Sequence, residues 1–134
     1  MAVYFADTWL FIAGLDRFDK HHLQASRLWS GTRNDLIVTH DGVFTELLAF
    51  FVGGGAQARL KAVEAVRRSF LYYEVLAVDR TLFLRGLERY AARPDKEYSH
   101  VDCMSMIVME DFGITHILTN DHHFEQAGFT LVNA

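Results

Sequence analysis

A chain of 134 residues has room for one domain built on one core. Its hydrophobic fraction of 51%, its 11 Phe, its single Pro and its lack of low-complexity tracts exclude a disordered or linker-rich protein. The net charge of −4 is unevenly spread: no Lys or Arg follows Lys96, whereas Arg59 to Lys96 is rich in both, a split that suggests cation binding at one end and phosphate contact in the middle. Solvated helix faces are the plainer account of the basic block.

Residues 3–6 predict a first strand, and Asp7-Thr8 opens a helix to about Leu15. A second helical stretch runs from Asp19 to about Trp29, and Leu36-Ile37-Val38-Thr39 reads as a buried strand. In the next helix Phe44, Leu47, Leu48 and Phe51 fall at i, i+3, i+4 and i+7, one apolar stripe. Gly53-Gly54-Gly55 ends it through the glycine preference of helix termini. A further helix covers about residues 56–73, a third strand residues 75–78, and a helix residues 81–92, before Pro94. Residues 101–112 predict a helix with Val101, Met104, Ser105, Val108 and Phe112 along one side, stopped by Gly113. Residues 114–119 form a fourth strand, residues 122–127 a short helix and residues 129–132 a last strand.

Strands alternating with helices, without hairpin signals, predict an α/β fold on a mostly parallel sheet of about five short strands sandwiched by helices. Such sheets bind ligands outside the carboxyl ends of their strands. Asp7, Asp41, Asp79 and Asp121 stand there, and each also opens a helix, where an Asp caps free N–H groups. Asp102 lies in Ser99-His100-Val101-Asp102, the spacing of a capping box. Glu46 lies roughly opposite the Phe44 stripe and faces either solvent or a cleft. Hydrolysis of a phosphodiester needs an activated water and neutralised charge, which hard Mg²⁺ or Mn²⁺ supplies when held by a few carboxylates. His122-His123 and His21-His22 are not read as metal sites, because adjacent histidines in a helix point apart; His123 is expected to pack beside Phe124 and His122 to be solvated. Cys103, the only cysteine, cannot pair internally and reads as a buried structural thiol. The apolar runs fall short of the ~20 residues of a membrane span, and residues 1–7 lack the basic segment of a signal peptide. The expectation is a cytoplasmic protein without membrane contact.

The stretch Tyr98-Ser99-His100-Val101-Asp102-Cys103-Met104-Ser105, followed by Gly113-Ile114 and by Leu118-Thr119-Asn120-Asp121-His122-His123-Phe124-Glu125-Gln126-Ala127-Gly128-Phe129, resembles the closing half of VapC-type PIN-domain ribonucleases. The strand ending in Asp7 and Thr45-Glu46 early in a helix fit the same family, so the resemblance spans the chain as a single PIN domain, residues 1–134. It implies that Asp7, Glu46, Asp102 and Asp121 form an acidic site for Mg²⁺, with Mn²⁺ as an alternative, and that Thr119 and Ser99 support it. It further implies an endoribonuclease toxin, a cognate antitoxin whose tail blocks the cleft, and a homodimer. One departure is Val101, where the family often has Thr. Substrate contact is assigned to Arg33, Arg59, Arg67 and Arg68, and base stacking to Trp9, Phe11 or Tyr73, for which core packing is the competing use. The alternatives are an RNA-processing nuclease outside any toxin pair and an inactive PIN-like module that binds RNA or protein. A phospho-receiver domain would need a late Lys, and a haloacid-dehalogenase phosphatase a second Asp after Asp7; both are missing.

Overall fold

The computed structural model describes residues 1–132. Its elements follow the order β1 (Val3–Ala6), α1 (Thr8–Leu15), α2 (His22–Gly31), β2 (Leu36–His40), α3 (Asp41–Phe50), α4 (Ala56–Tyr72), β3 (Glu74–Leu76), α5 (Arg80–Ala92), α6 (His100–Phe112), β4 (His116–Leu118), α7 (His122–Gln126) and β5 (Thr130–Leu131). The strands form one sheet in the order β3-β2-β1-β4-β5, and every neighbouring pair is parallel. That is the α/β arrangement the alternation predicts, with strand bounds that differ by a few residues.

The order carries the functional information. From β1 the chain steps outward to β2 and β3, then returns across β1 to lay β4 on its other side. The winding therefore reverses between β1 and β4, and a crevice opens outside their carboxyl ends. Asp7 follows β1, and Thr119 to Asp121 follow β4, so both line this crevice. Phe5 pairs with Ile117 and Ala6 with Leu118, a register that brings Asp7 level with Thr119.

The core lies on both faces of β1, whose Phe5 and Ala6 are fully buried. The helix α6 is buried on all sides from Asp102 to Met109, so it is an inner helix and not a one-sided surface one. Phe112, expected on its inner side, is 61% exposed, because the helix leaves the core at its last turn. Leu48 is likewise exposed at 40%, whereas Phe44 and Leu47 of the same stripe are core. The helix α5 reaches α6 through Gly86, where a Cβ would lie 2.6 Å from Met104 Cγ. Gly53-Gly54-Gly55 does not cap α3: Phe51 does. The glycine that needs positive φ is Gly55, at 91°, which leads into α4. Gly113 adopts φ 66° and ends α6 as expected.

His40 closes β2 with no solvent exposure. Its Nδ1 accepts from Gly42 N at 3.0 Å, and its Nε2 meets Ser105 Oγ at 2.9 Å. Burial lowers its pKa from 6.5 to about 4, so the ring is neutral. Cys103 is a fully buried thiol with no pairing partner.

Candidate active site: an acidic cleft

Helix starts around the β1/β4 crevice place the acids. Asp7 occupies the N-cap of α1, yet its side chain makes no capping bond. It turns instead toward β4, where Thr119 Oγ1 donates to Asp7 Oδ2 at 2.9 Å. The same hydroxyl accepts from Asp121 N at 3.1 Å, so Thr119 ties the two acidic segments together. Asp121 caps α7 by accepting from His123 N at 2.9 Å. Asp102 and Ser99 form the expected capping box: Asp102 N donates to Ser99 Oγ, and Ser99 N to Asp102 Oδ2, both at 3.0 Å. Glu46 reaches the cleft from α3, where Thr8 Oγ1 donates to its Oε1 at 2.5 Å.

Asp7, Glu46, Ser99, Asp102 and Asp121 line one cleft with Thr8, Trp9, Ile12, His21, Asn120 and His123. No Lys or Arg is among these lining residues. Carboxylates packed without a cationic partner resist ionisation, and two of them show it. Burial, then the charge of Asp102, raises Asp7 from 3.8 to about 7. Burial, with the charges of Asp121 and Glu46, raises Asp102 from 3.8 to about 6, against the lowering pull of its bonds to Ser99. Asp41 and Asp79, the other two acids at strand ends, are taken up elsewhere. Asp41 Oδ2 accepts from Val78 N at 3.2 Å, and Asp79 caps α5 through Leu82 N at 2.8 Å.

The residues fit a divalent cation. Asp102, Asp121 and His123 each present one donor atom within 4.8 Å of the others, a grouping found nowhere else among the described residues. His123 Nδ1 is buried without a hydrogen-bond partner, 3.2 Å from Asp121 Oδ1 and 3.8 Å from Asp102 Oδ2. An orphaned ring nitrogen facing two carboxylates has the environment a metal would satisfy. The expectation that His123 simply packs beside Phe124 is therefore corrected. Phe124 goes into the core, while His123 turns to the acids because the α7 cap pins its backbone to Asp121. His122 is exposed as expected, 3.5 Å from Glu125. His21 lines the cleft beside Trp9, and His22 Nδ1 lies 2.8 Å from the Ala13 carbonyl, so that pair shares no ion.

A model of the PIN domain matches residues 4–130. The chain belongs to the PIN-domain family. Among solved PIN proteins it is similar to VapC20 of Mycobacterium tuberculosis, described as a toxin that cleaves the sarcin–ricin loop. The two superpose with a TM-score of 0.88 at 29% identity, over 99% of this chain and 100% of that one. Among curated protein sequences none matches significantly.

The basic residues chosen from sequence are not at the cleft. Arg33 and Arg68 line a separate cavity of about 680 Å³ with Lys61, Trp29 and Tyr73. Gly14 and Leu15 also line that cavity, at the far end of α1 from Asp7 and Thr8. Arg59 and Arg67 line neither space. Of the three aromatics chosen from sequence, Trp9 borders the acids, as does the exposed Phe50, whereas Phe11 is core and Tyr73 stacks on Trp29 with ring centroids 5.5 Å apart. Sequence reasoning missed Thr8 and His123. For Thr8 the available signal was adjacency to Asp7, and for His123 a place two residues after Asp121.

Proposed function

We propose that this PIN protein is a divalent-metal-dependent endoribonuclease of the VapC type, and that Asp7, Glu46, Asp102 and Asp121 hold its cation. The observation that carries the reading is the uncompensated acidic cleft at the β1/β4 crevice, where crowding and burial raise Asp7 to about 7 and Asp102 to about 6. Bound there, Mg²⁺ or Mn²⁺ would supply the acidity that makes water nucleophilic at neutral pH and the charge that offsets the phosphorane.

The protein's own groups do the rest. Thr119 fixes the Asp7 carboxylate and the start of α7 with one hydroxyl, so the acids from β1 and β4 keep their relation. Thr8 orients Glu46, and the Ser99 capping box holds Asp102. An RNA phosphate cannot approach this many carboxylates unless a cation screens them. The cleft therefore makes metal loading a condition of substrate entry as well as of chemistry. Phe50, exposed, and the half-buried Trp9 both line the cleft, an aromatic border suited to an unstacked base and so to single-stranded or loop RNA.

Likeness to VapC20 supports a toxin role, an antitoxin of the VapB kind and a ribosomal loop as the first substrate to test. Phe83, Leu87 and Tyr90 recur at i, i+4 and i+7 on α5 and are 40%, 45% and 54% exposed, an apolar face suited to a second copy of the chain or to an antitoxin. No helix among the described residues is long and apolar enough to cross a membrane. The deciding test is cleavage of a labelled sarcin–ricin-type RNA loop by the wild type with Mg²⁺ or Mn²⁺, with EDTA, and by Asp102→Asn. Cutting that needs both the metal and Asp102 supports the reading; cutting that survives EDTA and the substitution overturns it.

A further inference from the structure

We propose that His123 gives the bound cation a nitrogen ligand and that the cleft thereby favours Mn²⁺ over Mg²⁺. This rests on the metal-nuclease reading and goes beyond it by naming a donor outside the acidic set and the ion it selects.

Three observations carry it. The first is the orphaned nitrogen: Nδ1 of His123 is buried, unpartnered, and lies 3.2 Å from Asp121 Oδ1 and 3.8 Å from Asp102 Oδ2. In the tautomer that carries the ring proton on Nε2, the Nδ1 lone pair points at these oxygens, and a cation shared among the three donors would accept it. Donors that are neighbours on one octahedral ion, at bond lengths of about 2.1 Å, stand roughly 3 Å apart. The Asp121 distance is already close to that, and the Asp102 distance approaches it with a sub-ångström shift.

The second observation is that the ring is held. Tyr98, only 6% exposed, meets it edge-on with centroids 5.8 Å apart and planes at 74°. The His123 backbone N–H donates to Asp121 Oδ1, so the cap that starts α7 also fixes the spacing between the two donors. An Asp and a His two residues apart are thus brought to one point by a helix start. The neighbouring His122 points outward, with its side chain 76% exposed, and takes no part.

The third is the donor chemistry. Mg²⁺ takes oxygen ligands and keeps its waters, whereas an imidazole nitrogen suits the later divalent ions, whose affinity for nitrogen-containing sites is higher. A site of carboxylates alone would discriminate weakly. Adding one imidazole tilts it toward Mn²⁺.

The test uses the full chain stripped of metal. Calorimetric titration gives Kd for Mn²⁺ and for Mg²⁺, and pulsed electron paramagnetic resonance of the Mn²⁺ form reads directly bound nitrogen, assigned with ¹⁵N-histidine labelling. The wild type is expected to show a histidine nitrogen coupling that disappears in both His123→Ala and His123→Gln. Those variants should lose ~10-fold or more in Mn²⁺ affinity, while Mg²⁺ affinity stays nearly unchanged. Circular dichroism confirms that each variant is folded. Mn²⁺ that binds the wild type without nitrogen coupling, or coupling that survives both substitutions, overturns the assignment and leaves the acidic metal site standing. Failure of either ion to bind the wild type, with RNA cleavage indifferent to EDTA, overturns both. Asp102→Asn, expected to lose both ions, marks the difference.

Discussion

Replacing Asp7 with Asn is expected to stabilise the metal-free protein while removing its cation-dependent activity. Asp7 is 5% exposed, and burial with the nearby Asp102 charge raises its carboxyl from 3.8 to about 7. The folded protein therefore keeps a proton that the unfolded chain releases between those values. Stability from this group is complete below about pH 4 and is lost as the pH rises to about 7. Each pKa step of one is worth about 1.4 kcal/mol, so ionising Asp7 costs the metal-free fold on the order of 4 kcal/mol on the alkaline side. Asn carries no charge, and its amide oxygen can still accept the Thr119 hydroxyl bond of 2.9 Å. Urea unfolding in EDTA should show D7N matching the wild type near pH 4 and exceeding it by roughly 2–4 kcal/mol at pH 8. Adding Mg²⁺ or Mn²⁺ at ~100 times its Kd should stabilise the wild type by about 2.7 kcal/mol and the variant hardly at all. A variant no more stable than the wild type in EDTA at pH 8, or equally favoured at pH 4, would refute the claim that this carboxylate is crowded and uncompensated.

Other consequences follow from neighbouring geometry. His40, lowered by burial to about 4, contributes stability that is complete above about 6.5 and is lost as the pH falls toward 4, a sign opposite to that of Asp7. In a D7N/D102N background, which removes the two raised carboxylates that titrate in the same window with the opposite sign, H40N should flatten the acid limb of a urea-midpoint profile between pH 4 and 6.5; an unchanged slope would sink the assignment. Glu46→Gln should reduce RNA cleavage by ~10²-fold with a urea midpoint no lower than the wild type's, because Glu46 touches the protein mainly through the Thr8 hydroxyl and its charge crowds Asp102. Gly86→Val should lower unfolding stability by about 1–3 kcal/mol, since a Cβ there would lie 2.6 Å from Met104 Cγ. R33A and R68A should leave cleavage of a minimal RNA loop unchanged, because both residues line a cavity away from the acids; a large loss in a steady-state assay would return them to the substrate path.

The fold was readable because its signals are local. Short apolar strands alternating with longer helical segments, and Pro94 and Gly113 as stops, give the order of elements without reference to distant contacts. Facing was harder. Leu48 and Phe112 fit their stripes by spacing but stand where α3 and α6 leave the core, and periodicity does not say where a helix runs out of neighbours. The strand order was not readable at all. It decides that Asp7 and Asp121 converge while Asp41 and Asp79 are left outside, and it depends on a crossover set by packing far along the chain.

The acids themselves were ambiguous for a physical reason: a helix start and a cation ask for the same short carboxylate. Asp79 and Asp121 both accept a backbone N–H at the beginning of a helix, and Asp102 completes a capping box, so the capping reading is correct for all three. It is also insufficient, because Asp102 and Asp121 face a common cleft with His123 whereas Asp79 does not. Asp7 separates the two uses most clearly. It stands at an N-cap, leaves the cap unmade, and gives its oxygen to Thr119 across the strand boundary. Leaving a cap unmade forgoes about 1 kcal/mol, and crowding the same carboxylate among others costs more. A fold keeps such an arrangement only where something outside the chain compensates it, which is the physical argument for a cation at the β1/β4 crevice.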